Sequence, residues 1–289
     1  MTMGRTTMNT KSFIAAIVMA AAIFSAPALQ AAEEGEVHIE KQSWSFGGVF
    51  GTYDENQLQR GFQIFREVCA SCHGARLLAF RNLAEDGGPG FSEAQVRALA
   101  AEYQIVDETT ADGIRPGVAA DQWPSPFASE QDARDANGGA YPPDFSVLAK
   151  ARGVHDPFPF WAFNYFTGYQ EGGADYIYNL LLGYHEEPPE GVELAPGQYY
   201  NEVYPGHAIS RAPPWADGRV DYADPEEGVA AAEETLEQYA RDVSAFMMWV
   251  AEPHLASRKE TGFRVLLFLV VFAGLMYFTK RKLWKGIEH

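Results

Sequence analysis

The only two cysteines of the 289-residue chain stand three apart and are followed at once by a histidine, in Cys69-Ala70-Ser71-Cys72-His73. That C-x-x-C-H spacing is the spacing of a c-type haem attachment site. Two thiols so placed can add to the two vinyl groups of one porphyrin, and the adjacent imidazole then serves as an axial iron ligand. Zinc would want four ligands, commonly from a second close Cys or His pair, and there is no third cysteine. A thioredoxin-like redox pair would want a βαβ setting. The segment here has a helical pattern instead, with Leu58, Phe62, Phe65, Cys69 and Cys72 recurring at steps of three and four. The motif therefore predicts one covalent haem c held by Cys69 and Cys72, with His73 on the iron and the haem closing the apolar face of that helix.

The elements that must position this site are mostly helices. Asp86 to Gly90 makes a turn, and Ser92-Glu93-Ala94-Gln95 has capping-box form and opens an amphipathic helix through Val96, Leu99, Ala100 and Tyr103. Residues 107 to 143 are rich in Asp, Gly and Pro and are expected to be mostly loop. Phe145 to Arg152 is expected to be helical, and 153 to 173 is an aromatic insertion, a buried flap or a partner contact. A helix is predicted over Ala174 to Tyr184, then a loop to Gly228, then a long helix over Ala230 to Trp249, with a bend at Pro253. Ala32 to Val49, carrying Trp44 and Phe46, reads as an irregular acidic arm.

Two segments speak of membranes. Arg5 and Lys11 precede the twelve-residue apolar run Phe13 to Phe24 and a small-residue stretch, the form of a signal peptide cleaved near Ala28 or Ala31. Near the other end, Val265 to Thr279 is uncharged. Extended back to Thr261, with Arg264 snorkelling to the interface, it gives about 28 Å of helix. Lys280, Arg281, Lys282 and Lys285 follow it, a basic excess that agrees with an exported N-terminal side. The expected domains are a signal peptide (1–31), a haem domain (32–257), and an anchor with a short tail (258–289). Setting aside two basic residues in the leader, and seven basic and two acidic residues in 258–289, leaves 13 Lys and Arg against 37 Asp and Glu, or −24. Such a field repels nucleic acid and steers a basic partner.

Taken together, the chain resembles the cytochrome c1 family, the membrane-anchored haem subunit of the cytochrome bc1 complex. The matching stretches are Arg60-Gly61 through Cys69-Ala70-Ser71-Cys72-His73, Asn137 to Asp144, Lys150-Ala151-Arg152, Gly172 to Tyr178, and Asp242-Val243 to Ala251-Glu252-Pro253. The resemblance implies an all-α, class I cytochrome c-like haem domain with loop extensions and one C-terminal transmembrane helix. It places the haem domain in the periplasm at a bacterial inner membrane. It implies electron transfer from a Rieske iron-sulfur protein, through haem c, to a soluble or tethered cytochrome c, which the charge makes a basic one, with cytochrome b as a further partner. No bond is made in a substrate, so no catalytic residue is expected. The resemblance also implies that Arg152 pairs with a propionate and that Asn137, Pro142, Pro143 and Tyr176 line the pocket. The alternatives are a surface role for Arg152 and plain core packing for Tyr176.

One position departs from the pattern. Where the family has Gly-x-x-Ile-x-Met-x-Pro-Pro, with Met as sixth ligand, this chain reads Gly206-His207-Ala208-Ile209-Ser210-Arg211-Ala212-Pro213-Pro214. A guanidinium has no lone pair to offer iron. Met247 and Met248 are expected to pack in a core, so the iron either takes His207, stays open, or belongs to an impaired variant. All three predict a potential below that of Met-ligated relatives. The competing function is a membrane-anchored haem protein with an open or bis-His site, ligand-binding or peroxidase-like. A merely structural haem has nothing specific to recommend it.

Overall fold

A computed structural model describes residues 39–152, 164, 172–214, 216–222 and 231–286. The expected signal peptide lies outside the described residues, as does all of the aromatic insertion except Asn164, Gly172 and Gly173. The described chain is mostly helical. Its centre is the crossing of α1 (Glu55–Glu67) with α6 (Leu236–Ala251). Asp54 caps α1 by accepting from the Gln57 N–H at 2.7 Å, and the buried positions Leu58, Phe62 and Phe65 share its inner face. On α6, Phe246, Met247, Met248 and Trp249 are buried. The helices approach closely because position 61 is glycine: a Cβ there would lie 2.2 Å from the Asp242 carbonyl oxygen.

Asp242, fully buried on α6, would be costly as a bare carboxylate. It accepts from Arg60 Nε at 2.7 Å, Gln57 Nε2 at 3.1 Å, Gln238 Nε2 at 2.8 Å and the Tyr222 hydroxyl at 2.9 Å. Deleting the Arg60 partner would leave that charge uncompensated, a loss of about 3–5 kcal/mol.

Around this pair the chain adds α2 (Glu93–Ala101), α3 (Glu130–Ala136), α4 (Leu148–Ala151), α5 (Gly172–Leu182) and α7 (Leu255–Leu283). The Ser92–Gln95 capping box forms as expected, Gln95 Oε1 accepting from the Ser92 N–H at 2.8 Å. Several expectations are corrected. The helix expected at Phe145 begins only at Leu148, because Phe145 donates its N–H to Gly74 O, outside any helix. The next predicted helix ends at Leu182, and Tyr184 opens a strand. The long helix expected from Ala230 starts at Leu236, where Thr235 is the cap. Residues 107–143 contain α3 and the second strand of an antiparallel pair, β1 (Gln104–Val106) with β2 (Ile114–Pro116). The long loop after α5 is in part a sheet ordered β3 (Tyr184–His185), β4 (Tyr199–Asn201), β5 (Ala208–Ile209).

The arm ahead of α1 is packed rather than loose. Asp175 on α5 accepts from Gln42 N at 2.9 Å and from Trp44 Nε1 at 2.8 Å, and Trp44 stacks on Phe46. After the Glu252-Pro253-His254 bend, α7 runs 29 residues, about 43 Å. It is the one helix among the described residues long and apolar enough to cross a membrane, and its apolar span is not buried.

Candidate functional site

Cys69 to Ser71 forms a single 3-10 turn at the end of α1, and His73 donates its backbone N–H to Cys69 O at 2.9 Å. This turn places Cys69 inside the core and leaves Cys72 half-buried, so the two thiols do not share one continuous helical face as the spacing alone suggested. Burial pushes the Cys69 thiol up to about 11, against the opposing Arg211 charge. Cys72 and Gly74 line a cavity of about 270 Å³ together with Trp123, Tyr141, Pro142 and Asp144.

The His73 ring is 5% exposed and lies 4.2 Å, centroid to centroid, over Phe145. Burial first, and the Arg211 charge as a further cause, lower its pKa to about 4, against the raising effects of the Pro143 carbonyl and Asp144. The imidazole is therefore neutral at neutral pH. Its Nδ1 stands 2.8 Å from Pro143 O, an acceptor only, so Nδ1 carries the proton and Nε2 keeps the lone pair. A carbonyl that fixes the tautomer in this way is the usual orienting partner of a metal-bound histidine.

Pro143 is itself held. The Asp144 carboxylate accepts from Arg76 N at 3.0 Å and Ser146 N at 2.9 Å. Leu77 donates its N–H to Ser146 Oγ at 2.9 Å, and Phe145 N bonds Gly74 O at 2.7 Å. Gly74 leaves little room, since a Cβ would sit 3.0 Å from Asp144 Oδ2. Asp144, Phe145 and Trp123 are site residues that sequence reasoning did not single out. Only the Pro-Pro-Asp run pointed towards the first. Trp123 joins Phe62, Phe65, Phe80 and Tyr103 in an aromatic cluster at centroid distances between 4.9 and 5.7 Å.

The remaining candidates are spread more widely. Pro142 is half-buried beside the cavity, whereas Asn137 uses its side-chain amide on Ala133 O at 2.7 Å, at the end of α3. Arg152 closes α4 and is exposed, and its charge is felt at half-buried Tyr176 on α5. Tyr176 is raised by burial, as is Tyr184 on β3. Arg211 follows β5 by two residues and is half-buried; its charge acts on Cys69, His73 and Tyr184 alike. His207 occupies the β4–β5 turn at φ 57°, its Nδ1 3.3 Å from Asn201 O and its ring 5.8 Å from that of Tyr200. Met247 and Met248 are inside the core on α6.

Two unbridged cysteines beside a neutral histidine with a free Nε2 are a donor set that suits covalent haem: thiols to attach it and an imidazole to hold its iron. No cluster of three or more His, Cys, Asp or Glu suited to a bare metal ion occurs among the described residues.

Comparison with known proteins places this arrangement. Residues 44–287 match the model of the Cytochrome C1 family. Cytochrome c1 of Blastochloris viridis is 45% identical over 94% of this chain and 95% of its own length, and that of Rhodospirillum rubrum 41% identical over 95% and 97%. Cytochrome b/c1 of Bradyrhizobium diazoefficiens is 50% identical over 93% of this chain, which spans only 39% of that relative's length. With those matches running from Trp44 through the attachment turn to the apolar helix, the chain belongs to the cytochrome c1 family, the haem subunit of the bc1 complex, whose members carry covalently bound haem c.

Proposed function

We propose that the chain carries electrons through one haem c from a Rieske iron-sulfur protein to a basic cytochrome c, alongside cytochrome b. Cys69 and Cys72 would hold the haem by thioether bonds and His73 Nε2 would ligate its iron. The observation that carries this reading is the Pro143 carbonyl on His73 Nδ1, which leaves the Nε2 lone pair available on the residue that directly follows Cys72. The haem supplies the redox change. The chain's own part is to keep His73 neutral and fixed, to exclude water with Phe145, Trp123 and Pro142, and to set the field around the site. Arg152 and Tyr176 lie together at the end of α4 and on α5, where Arg152 would meet a propionate as a charge-assisted contact. Asn137 is not among the residues lining the cavity; its amide donates to the carbonyl of Ala133, which is. On the same reading residues 1–31 are a signal, 32–257 form the periplasmic haem domain, and 258–289 anchor it in the inner membrane with the basic tail inside.

The −24 charge of residues 32–257 steers the acceptor. Such steering is screened over about 8 Å at physiological ionic strength. Bimolecular electron transfer to a basic cytochrome c should slow steadily as salt is added, measured by stopped-flow oxidation. A rate flat or rising with salt would remove the steering argument.

The reach of the Arg211 charge to His73 and Cys69 supports a second reading, an open or His207-ligated iron that binds small ligands. Ferric spectra with and without cyanide, and ferrous spectra with carbon monoxide, separate the two. Rapid ligand binding at unmodified Arg211 marks the open site of the second reading; indifference to both ligands leaves the first reading or a His207-ligated iron, and loss of a low-spin spectrum on His207→Ala separates those two.

A further inference from the structure

Between buried Phe46 and half-buried Tyr53 the chain makes a glycine-rich excursion, Gly47-Gly48-Val49-Phe50-Gly51. Its tip is apolar and faces outward: Phe50 is 72% exposed and Val49 39%. Its base is tightly fastened. Gly47 N donates to Trp44 O at 3.0 Å, Thr52 N to Ser45 O at 3.1 Å, and a Cβ on Gly51 would lie 2.0 Å from Gly47 O. A rigid base holding a phenylalanine in the open gains no core burial from it, so the ring wants another apolar medium.

The neighbouring element says which medium. The Phe50 ring meets Phe263 of α7 edge-on, centroids 5.3 Å apart and planes at 72°, and Lys259 Nζ donates to Phe46 O at 2.6 Å. Phe263 stands at the head-side end of the apolar span, and Leu266 and Leu267, one turn on, continue the same exposed surface. Val49, Phe50 and Phe263 thus form one apolar patch continuous with the lipid-facing side of α7. Arg258, Lys259 and Arg264 lie at its level, where phosphates would be.

We propose that the Gly47–Gly51 loop is a second membrane contact, its Val49 and Phe50 side chains seated at the headgroup–acyl boundary of the leaflet that α7 enters. The head then rests on lipid at two points, which limits its tilt about the Glu252-Pro253 bend. The proposal rests on α7 being the membrane anchor.

The test uses the full chain with haem attached, reconstituted alone into phosphatidylcholine vesicles, with a nitroxide at Val49→Cys, Leu269→Cys or Val106→Cys in separate variants. Cys69 and Cys72, held as thioethers, do not compete for the label. Power saturation compares accessibility to oxygen, which concentrates in hydrocarbon, with accessibility to a water-soluble nickel chelate. The oxygen-to-nickel ratio at position 49 should approach that at 269 and exceed that at exposed position 106 several-fold. Adding Phe50→Asp to the Val49→Cys variant should drop the ratio at 49 while a label at 269 keeps its value. A ratio at 49 like that at 106, with 269 high, puts the tip in water and overturns the loop contact alone. Low access to both reagents at 49 means a protein surface covers the tip and overturns it equally. A low ratio at 269 removes the anchor and the proposal with it, and a ratio at 49 unmoved by Phe50→Asp refutes the part assigned to Phe50.

Discussion

Residues 69–77 and 142–146 meet through four hydrogen bonds that bridge about seventy positions of sequence, whereas Arg211, whose charge acts on Cys69 and His73, follows a sheet whose outer strands are two residues each. On the His73 side every polar link has a specific partner, and the ring, its tautomer and the carbonyl that fixes it are set together. On the Arg211 side the chain hangs from β4 by a hairpin with a strained turn at His207. The difference teaches where this fold is committed. The attachment side behaves as part of the core, and a change there should cost stability. The Arg211 side is a short flap, where a change should alter the iron's surroundings and leave the rest folded.

The strongest break of that comparison is at the thiols. Cys69→Ser or Cys72→Ser should abolish or sharply reduce covalent haem, read as haem stain on a denaturing gel. Quantitative extraction of haem from the unmodified chain by acidified organic solvent would contradict it. Next in size, Arg211→Met should leave stability nearly unchanged while raising the midpoint potential and adding the ferric charge-transfer band of Met-ligated haem. A Met-type band in the unmodified chain would bring Met247 or Met248 to the iron, against their placement in the core. A smaller, purely structural effect is expected from Asp144→Ala. Its loss leaves the N–H groups of Arg76 and Ser146 without their acceptor and should cost about 1–3 kcal/mol in denaturant unfolding of the holoprotein. Asp144→Asn should recover part of it.

The ordering of these effects follows what the sequence could and could not disclose. C-x-x-C-H, the Ser92 capping box and the apolar run of α7 are contiguous signals carried by side-chain type, and each is legible in the sequence alone. Asp144 is legible only as the end of the Pro-Pro-Asp run, because its work is done on N–H groups, one of them 68 residues away. Strands of two or three residues are too short to show a period of two, so Tyr184 merged into the end of a predicted helix, and His185 and Ala208–Ile209 into a loop. Phe145 looked like a helix start because apolar spacing cannot report that its N–H is taken by Gly74. The partial burial of Cys72 was hidden for a similar reason: the 3-10 turn at Cys69 breaks the helical step that the spacing assumed.

The smallest effect is the one that best sharpens the contrast between the two sides. His207 holds φ 57° in the β4–β5 turn, a conformation that costs an L-residue about 1–2 kcal/mol and glycine almost nothing. Its side chain returns little there: a long 3.3 Å contact to Asn201 O and a ring 5.8 Å from that of Tyr200. If the turn is its whole role, His207→Gly should shift stability by no more than about 1 kcal/mol, strain relief offsetting glycine's greater unfolded-state entropy. The ferric spectrum should then be unchanged. If the imidazole instead leaves the turn for the iron, the same substitution converts a low-spin spectrum to high-spin and lowers the holoprotein's stability by more than the turn can explain. Measuring both on one variant decides whether the flap supplies a ligand or only carries the Arg211 charge.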